Sequence, residues 1–251
     1  MTETKIIAHR GESFDAPENT LAAINLAWER KVKAVEVDIH LTYDNEIVVI
    51  HDYNTLRVAG VKKIINKAFL KELKLLNAGY YKKGNWDGEQ IPKLSEVLAT
   101  IPVDGKLIIE IKSDDSILPK LMYELTQSNL QSTQIELIAF NVSTIAKAKK
   151  LMPEYSMLWL LSLDYNLPKW LVWKSTSRII KKVKKLNIDG VNVWAGEILT
   201  NGFISEFKKA GLLVYSWTVD NPKKAISLLN KGVDGITTNR AGWMAKQLEI
   251  Y

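Results

Sequence analysis

The 251-residue chain contains no cysteine. Disulfides, thiolate metal sites and cysteine nucleophiles are therefore excluded. No apolar run approaches the roughly 20 residues needed to cross a bilayer. The N-terminal MTETKII has neither the basic nor the apolar region of a secretory signal, so a cytoplasmic protein is expected. No glycine-rich loop of the dinucleotide or P-loop type follows any apolar run. No G-x-S-x-G turn is present, so serine acyl transfer fits poorly. Histidine is scarce, at three residues, and the position of each carries weight.

Charge is plentiful and unbalanced. The net charge of +6 and pI near 9.2 favour anionic partners. The excess reads as diffuse, with its densest run in RIIKKVKKL, residues 178–186. There Ile179, Val183 and Leu186 share one helical face, and Lys181, Lys182, Lys184 and Lys185 lie off it. That pattern reads as a solvated helix face, and no nucleic-acid partner is expected.

Apolar strands alternate with amphipathic helices along the chain. Strands are predicted at 5–9, 33–40, 106–112, 134–140, 156–161, 188–193, 212–218 and 234–237, most as near-continuous apolar runs. Helices fall between them. ENTLAAINLAWER offers Asn19 or Thr20 as its cap, NPKKAISLLNKG has Asn221 as cap and Gly232 as stop, and NGFISEFKKAG stops at Gly211. Eight such pairs predict an α/β fold, a (β/α)8 TIM barrel. An open doubly wound sheet is the competing fold, weakened by the missing glycine-rich loop. Residues 41–53, LTYDNEIVVIHDY, read as a hairpin turning at Asp44-Asn45. They begin an insertion of about residues 41–100 between barrel strands two and three. The whole chain, 1–251, is expected to be a single domain.

In a barrel, chemistry gathers where strands end. The first strand ends in His9-Arg10. The second, AVEVDIH, carries Glu36 and Asp38; the third, LIIEIK, carries Glu110 and Lys112; the hairpin ends in His51-Asp52. Residues two apart on a strand share a face, so Glu36 pairs with Asp38 and Glu110 with Lys112. Each motif alone has an ordinary reading, as an ion pair or a helix cap. Together they point to one site, because three carboxylates among Val and Ile need compensation. A hard divalent cation, Mg²⁺ or Ca²⁺, supplies it to oxygen ligands. His40 continues the parity of Glu36 and Asp38, and either reaches the site or faces solvent. Two histidines, an arginine, a lysine and a metal are the parts for phosphodiester cleavage.

Six stretches, AHRGESFDAPENTLAAI, AVEVDIHLTYDNEIVVIHD, IPKLSEVL, LIIEIK, VYSWTVDN and GVDGITTNR, resemble in order the motifs of glycerophosphodiester phosphodiesterases. The resemblance runs from residue 6 to about 240. It implies Glu36, Asp38 and Glu110 as metal ligands and His9 and His51 as the acid/base pair. Arg10 and Lys112 would bind the substrate phosphate, and Trp217 would line the pocket or else be a core aromatic. Glu18-Asn19-Thr20 would be mainly structural, with Asn19 open to a hydrogen bond at the site. The implied reaction is metal-dependent hydrolysis of a small-molecule glycerophosphodiester to glycerol 3-phosphate and an alcohol. The first nucleophile is either the glycerol 2-hydroxyl or water. The fourth strand ends in Ala139 where a small hydroxyl residue is expected, a place Asn141 could take. Trp159, Trp170 and Trp173 cluster around a loop expected from Asp164 to Ser177. They form either an aromatic rim for choline or an acyl chain, with peripheral lipid contact, or a helix packed on the barrel. Lysophospholipid cleavage and a non-catalytic phosphate-binding barrel are the alternative functions.

Overall fold

The computed structural model describes residues 5–162 and 169–249, apart from the side chains of 169–174. Nine strands are present among them: β1 (Ile6–His9), β2 (Ala34–Leu41), β3 (Ile47–Val49), β4 (Lys106–Ile111), β5 (Ile135–Ala139), β6 (Ser156–Leu161), β7 (Gly190–Trp194), β8 (Leu213–Trp217) and β9 (Gly235–Thr238). All but β3 pair in parallel, and β1 closes the ring by pairing with both β2 and β9. The result is the predicted eight-stranded TIM barrel. Helices occupy the connections, with the predicted signals at their ends. Thr20 rather than Asn19 caps Leu21–Glu29, and Asn221 caps Pro222–Asn230. Gly211 and Gly232 adopt the left-handed backbone just beyond their helices.

Period-two alternation sorts the side chains. Val35, Val37 and Ile39 of β2 point outward into the large core beneath the helices. Ile7, Ala34, Ile108, Ile138, Leu158 and Tyr215 form a separate cluster that fills the barrel interior. Layers of that kind make the barrel a solid floor rather than a pore. Polar groups converge above it, at the ends of the strands, and below it where buried Glu136 meets Lys106 and the Tyr215 hydroxyl.

The segment between β2 and β4 leaves the barrel and returns. β2 overshoots the ring, and β3 pairs antiparallel with the overshoot, Ile39 opposite Val49 and Leu41 opposite Ile47. The turn uses Asn45 at φ +57°, a conformation asparagine tolerates. Short helices follow, and Val48, Ile50, Val58, Ile65, Leu73 and Ile91 give the segment its own buried apolar cluster. The expected loop over 164–177 is helical from Lys169 onward. The proposed rim at Trp170 and Trp173 falls on side chains outside the described residues. Trp159 instead packs at the barrel exterior, with Lys182 Nζ 4.9 Å from its ring centre. Among the described residues, no helix is long and apolar enough to cross a membrane.

The loop after β1 is anchored by Glu12, which is fully buried. Its carboxylate accepts from Gly242 N and, at 3.1 Å, from Arg30 Nη1. Glu12→Ala strands the buried Gly242 N–H and leaves Arg30 with only Asp15, and is expected to cost about 1–3 kcal/mol. Urea unfolding checks this, and a loss under about 0.5 kcal/mol would contradict the anchor.

Candidate active site

β1 ends at His9, and the chain turns through Arg10 and Gly11 at φ +56° and +77°. A side chain on Gly11 would lie 2.5 Å from the Ala23 backbone, so only glycine permits this close approach. Strand register sets the rest. His9 lies opposite Glu36 across β1 and β2, and Asp38 lies opposite Glu110 across β2 and β4. β3 then carries His51 back over the same end, with Ile50 N donating to the Asp38 carbonyl at 2.9 Å.

Glu36, Asp38 and Glu110 are all buried, at 2%, 0% and 8% exposure. Each offers an oxygen within 4.8 Å of the others. Two cations sit among them. Arg10 donates its backbone N–H to Glu36 Oε2 at 3.0 Å and places Nε 3.1 Å from Asp38 Oδ2. Lys112 Nζ donates to Glu110 Oε1 at 2.7 Å and lies 3.3 Å from Asp38 Oδ1. Asn19 grips Asp38 twice, Nδ2 donating to Oδ2 at 2.9 Å and Oδ1 accepting from the Asp38 N–H at 3.2 Å.

Three negative charges against two positive ones leave the cluster under-compensated. Burial, then repulsion from Asp38 and Glu110, pushes the Glu36 carboxyl well up. Burial and Asp38 push Glu110 up to about 7 against the pull of Lys112. Burial acts on Asp38 too, but Arg10 and Lys112 outweigh it and hold that carboxyl well below the usual range. Glu36 Oε1 is buried without a hydrogen-bond partner. An all-oxygen donor set, an orphaned carboxylate oxygen and a residual negative charge fit a hard divalent cation.

The two imidazoles flank this cluster. His9 Nδ1 donates to Asn239 Oδ1 at 2.7 Å. Asn239 is itself oriented, because its Nδ2 donates to Asp220 Oδ2 at 2.7 Å. That fixes Oδ1 as the acceptor, puts the His9 proton on Nδ1 and leaves a lone pair on Nε2, 4.0 Å from Glu36 Oε2. Burial and the neighbouring Arg10 charge push His9 down to about 4, so the ring is neutral at pH 7. His51 Nδ1 faces Asp52 Oδ1 at 2.8 Å. Asp52 Oδ2 accepts from Arg57 Nε at 2.8 Å, Arg57 donates twice to Glu18 at 2.7 Å, and Glu18 accepts from Arg10 Nη1 at 2.9 Å. A line of alternating charges thus joins His51 to Asp38.

The remaining predicted residues fall nearby or elsewhere. Trp217 lies at the end of β8, half-buried, its ring edge-on to Phe140 at 5.6 Å. Lys112 Nζ is 5.9 Å from the other partner's ring, Phe140, so Trp217 is one aromatic removed from the lysine. His40 is half-buried: its Nε2 contacts the His51 carbonyl at 3.1 Å, and the residue lines an open cleft. Asn141 does not replace a contact at Ala139, because its Oδ1 caps the next helix, accepting from Ser143 N at 2.9 Å. Asp220, Asn239 and Arg57 were not singled out from the sequence. The H-D dipeptide was the available signal for a carboxylate behind His51. Asn239 falls in GVDGITTNR and Asp220 in VYSWTVDN, but neither stretch shows that its partner at the site is His9, 230 positions from Asn239.

The family model described as the glycerophosphoryl diester phosphodiesterase family matches residues 9–243. A glycerophosphodiester phosphodiesterase of Caldanaerobacter subterraneus is 31% identical over 242 residues, covering 94% of each chain. The solved structure of an Oleispira antarctica phosphodiesterase, in complex with the product sn-glycerol-3-phosphate, superposes with a TM-score of 0.86 at 27% identity. It covers 98% of this chain and 96% of that one. A Thermotoga maritima glycerophosphodiester phosphodiesterase, at 22% identity, shares the fold with a TM-score of 0.80 over 98% and 99% of the chains.

The electrostatics set a sign for pH. The folded Glu110 carboxyl keeps its proton to about pH 7, whereas the ordinary value is 4.5. Its contribution to stability therefore falls as pH rises through that window. Glu110 lowers the melting temperature of the cation-free protein between pH 5.5 and 7.5, against the opposite slope of His9 below about pH 6.5, and Glu110→Gln is expected to remove that fall. Millimolar Mg²⁺ or Ca²⁺ should raise the melting temperature more at pH 7.5, where fewer protons compete. Scanning calorimetry reads both, and an unchanged melting temperature with either ion would contradict the fit.

Proposed function

We propose, since the chain belongs to the glycerophosphoryl diester phosphodiesterase family, that it hydrolyses glycerophosphodiesters to glycerol 3-phosphate and an alcohol. The observation that carries this reading is the buried set of Glu36, Asp38 and Glu110 flanked by His9 and His51. The Oleispira relative bound to sn-glycerol-3-phosphate supports the same product.

In this reading Glu36, Asp38 and Glu110 hold one divalent cation, Mg²⁺ or Ca²⁺. When bound, it withdraws charge from the non-bridging phosphate oxygens. Arg10 and Lys112 bind the phosphate beside it and offset the charge that grows in the transition state. The surroundings of the two histidines divide the proton work. His9 is held by a neutral amide, with its bare Nε2 toward the cluster, which suits a base. It takes the proton from the attacking oxygen, either the glycerol 2-hydroxyl or water, as the new O–P bond forms. An imidazolium at His51 has the Asp52 carboxylate as counter-charge at 2.8 Å, which suits an acid. It delivers its proton to the leaving alcohol oxygen as the P–O bond breaks. If the 2-hydroxyl attacks, water opens the cyclic phosphate with the two roles exchanged.

A coupled assay for glycerol 3-phosphate tests the reaction. Turnover of glycerophosphocholine should need a divalent cation and stop with a chelator. His9→Ala and His51→Ala should each lower kcat by about 10²–10⁴-fold. A p-nitrophenyl diester separates the roles, because its leaving group needs no proton. His51→Ala should keep most activity on it, whereas His9→Ala should not. The reverse pattern would exchange the assignments, and metal-independent turnover would remove the cation from the reaction.

A further inference from the structure

The chain's basic excess gathers in stretches: residues 169–185 carry seven cations and no acid, and residues 53–83 are a second. Residues 53–83 contain Arg57, Lys62, Lys63, Lys67, Lys71, Lys74, Lys82 and Lys83 against the single acid Glu72. That stretch exceeds the +6 of the whole chain. Its lysines are more widely spaced than those of the run at 178–186.

Half of these cations are used internally. Arg57 serves Glu18 and Asp52, Lys63 pairs with Glu72 and Lys74 with Glu96, and Lys82 donates to the carbonyls of Ser13 and Phe14. Lys62, Lys67, Lys71 and Lys83 are exposed, and none reaches a carboxylate within ion-pair distance among the described residues.

The same stretch exposes apolar surface. Tyr53, Leu56, Val61, Phe69, Leu75 and Tyr80 are all exposed, Leu75 at 87%. The local structure explains why. The helix Leu56–Ala59 turns Val58 and Ala59 inward to the segment's core and leaves Leu56 outside. Tyr80 packs its ring over Gly60, next to Val61 and Lys62. Phe69 meets Tyr43 edge-on at 5.1 Å, with Lys71 Nζ 5.7 Å from its ring centre. Tyr43, Tyr53 and Lys67 line an open cleft of about 640 Å³ together with His40 and Lys112.

We propose that residues 53–83 dock this protein on an anionic lipid bilayer, with Leu56, Val61 and Tyr80 entering the interface and Lys62, Lys71 and Lys83 meeting the headgroups. Exposed aliphatic and aromatic side chains beside unpaired lysines are the chemistry of interfacial partition. Each lysine near an anionic surface adds about a fivefold preference. The aliphatic residues favour a bilayer over nucleic acid, whose backbone offers them no partner. The inference concerns binding and does not depend on which diester is cleaved.

Vesicle sedimentation of the full chain tests it. Wild type should bind phosphatidylcholine vesicles containing roughly a third phosphatidylglycerol and ignore pure phosphatidylcholine, with binding weakened by salt. Lys62→Gln/Lys71→Gln/Lys83→Gln should lose binding on the order of 100-fold. Leu56→Ser/Val61→Ser should lose it with the charge intact. Both variants should keep wild-type turnover of soluble glycerophosphocholine and the wild-type melting temperature, which shows that they are folded. No binding of wild type to the anionic vesicles, unchanged binding of either variant, or preference for single-stranded RNA over the vesicles would overturn the proposal.

Discussion

Three carboxylates inside a barrel are tolerable only if something answers their charge. The idealised cost of moving one such ion into a low-dielectric interior is of order 20 kcal/mol. Arg10 and Lys112 answer part of it, at 2.7–3.3 Å from Asp38 and Glu110. What they leave over appears as two carboxyls, Glu36 and Glu110, that resist ionising. Much of the surrounding structure serves this constraint. The tight turn at Gly11 brings Arg10 over the cluster, Asn19 takes two of the hydrogen bonds of Asp38, and the apolar floor below keeps water out.

The segment between β2 and β4 belongs to the same design. It is attached at the cluster itself, where the Ile50 N–H meets the Asp38 carbonyl. It returns Arg57 to Glu18 and Asp52, so that one guanidinium braces the acid behind His51 and the acid beside Arg10. His9 is braced from the opposite end of the chain by Asn239 and Asp220. Each imidazole thus has its Nδ1 committed, and neither Nε2 makes a hydrogen bond among the described residues.

The barrel and the convergence of its polar strand tips were legible in the sequence, for a specific reason. Strand side chains alternate with period two, so Glu36 with Asp38, and Glu110 with Lys112, had to share a face. Parallel strands in a closed barrel bring such faces to one end. The hairpin was legible from Asp44-Asn45 for an equally local reason. What could not be read was long-range pairing. His9 ends β1 and Asn239 follows β9, strands adjacent only after closure, and Arg57 reaches Glu18 only once its segment has packed. Asn141 had two plausible duties, and the start of a helix one residue later decided between them. The second basic stretch, residues 53–83, was readable only by summing charge over a segment.

A crystal grown with Mn²⁺, with anomalous data collected at the manganese edge, tests the central claim most directly. The account predicts one strong peak per chain, bounded by oxygens of Glu36, Asp38 and Glu110 and absent in Asp38→Asn crystals. Manganese bound elsewhere with those three carboxylates left unligated would contradict it.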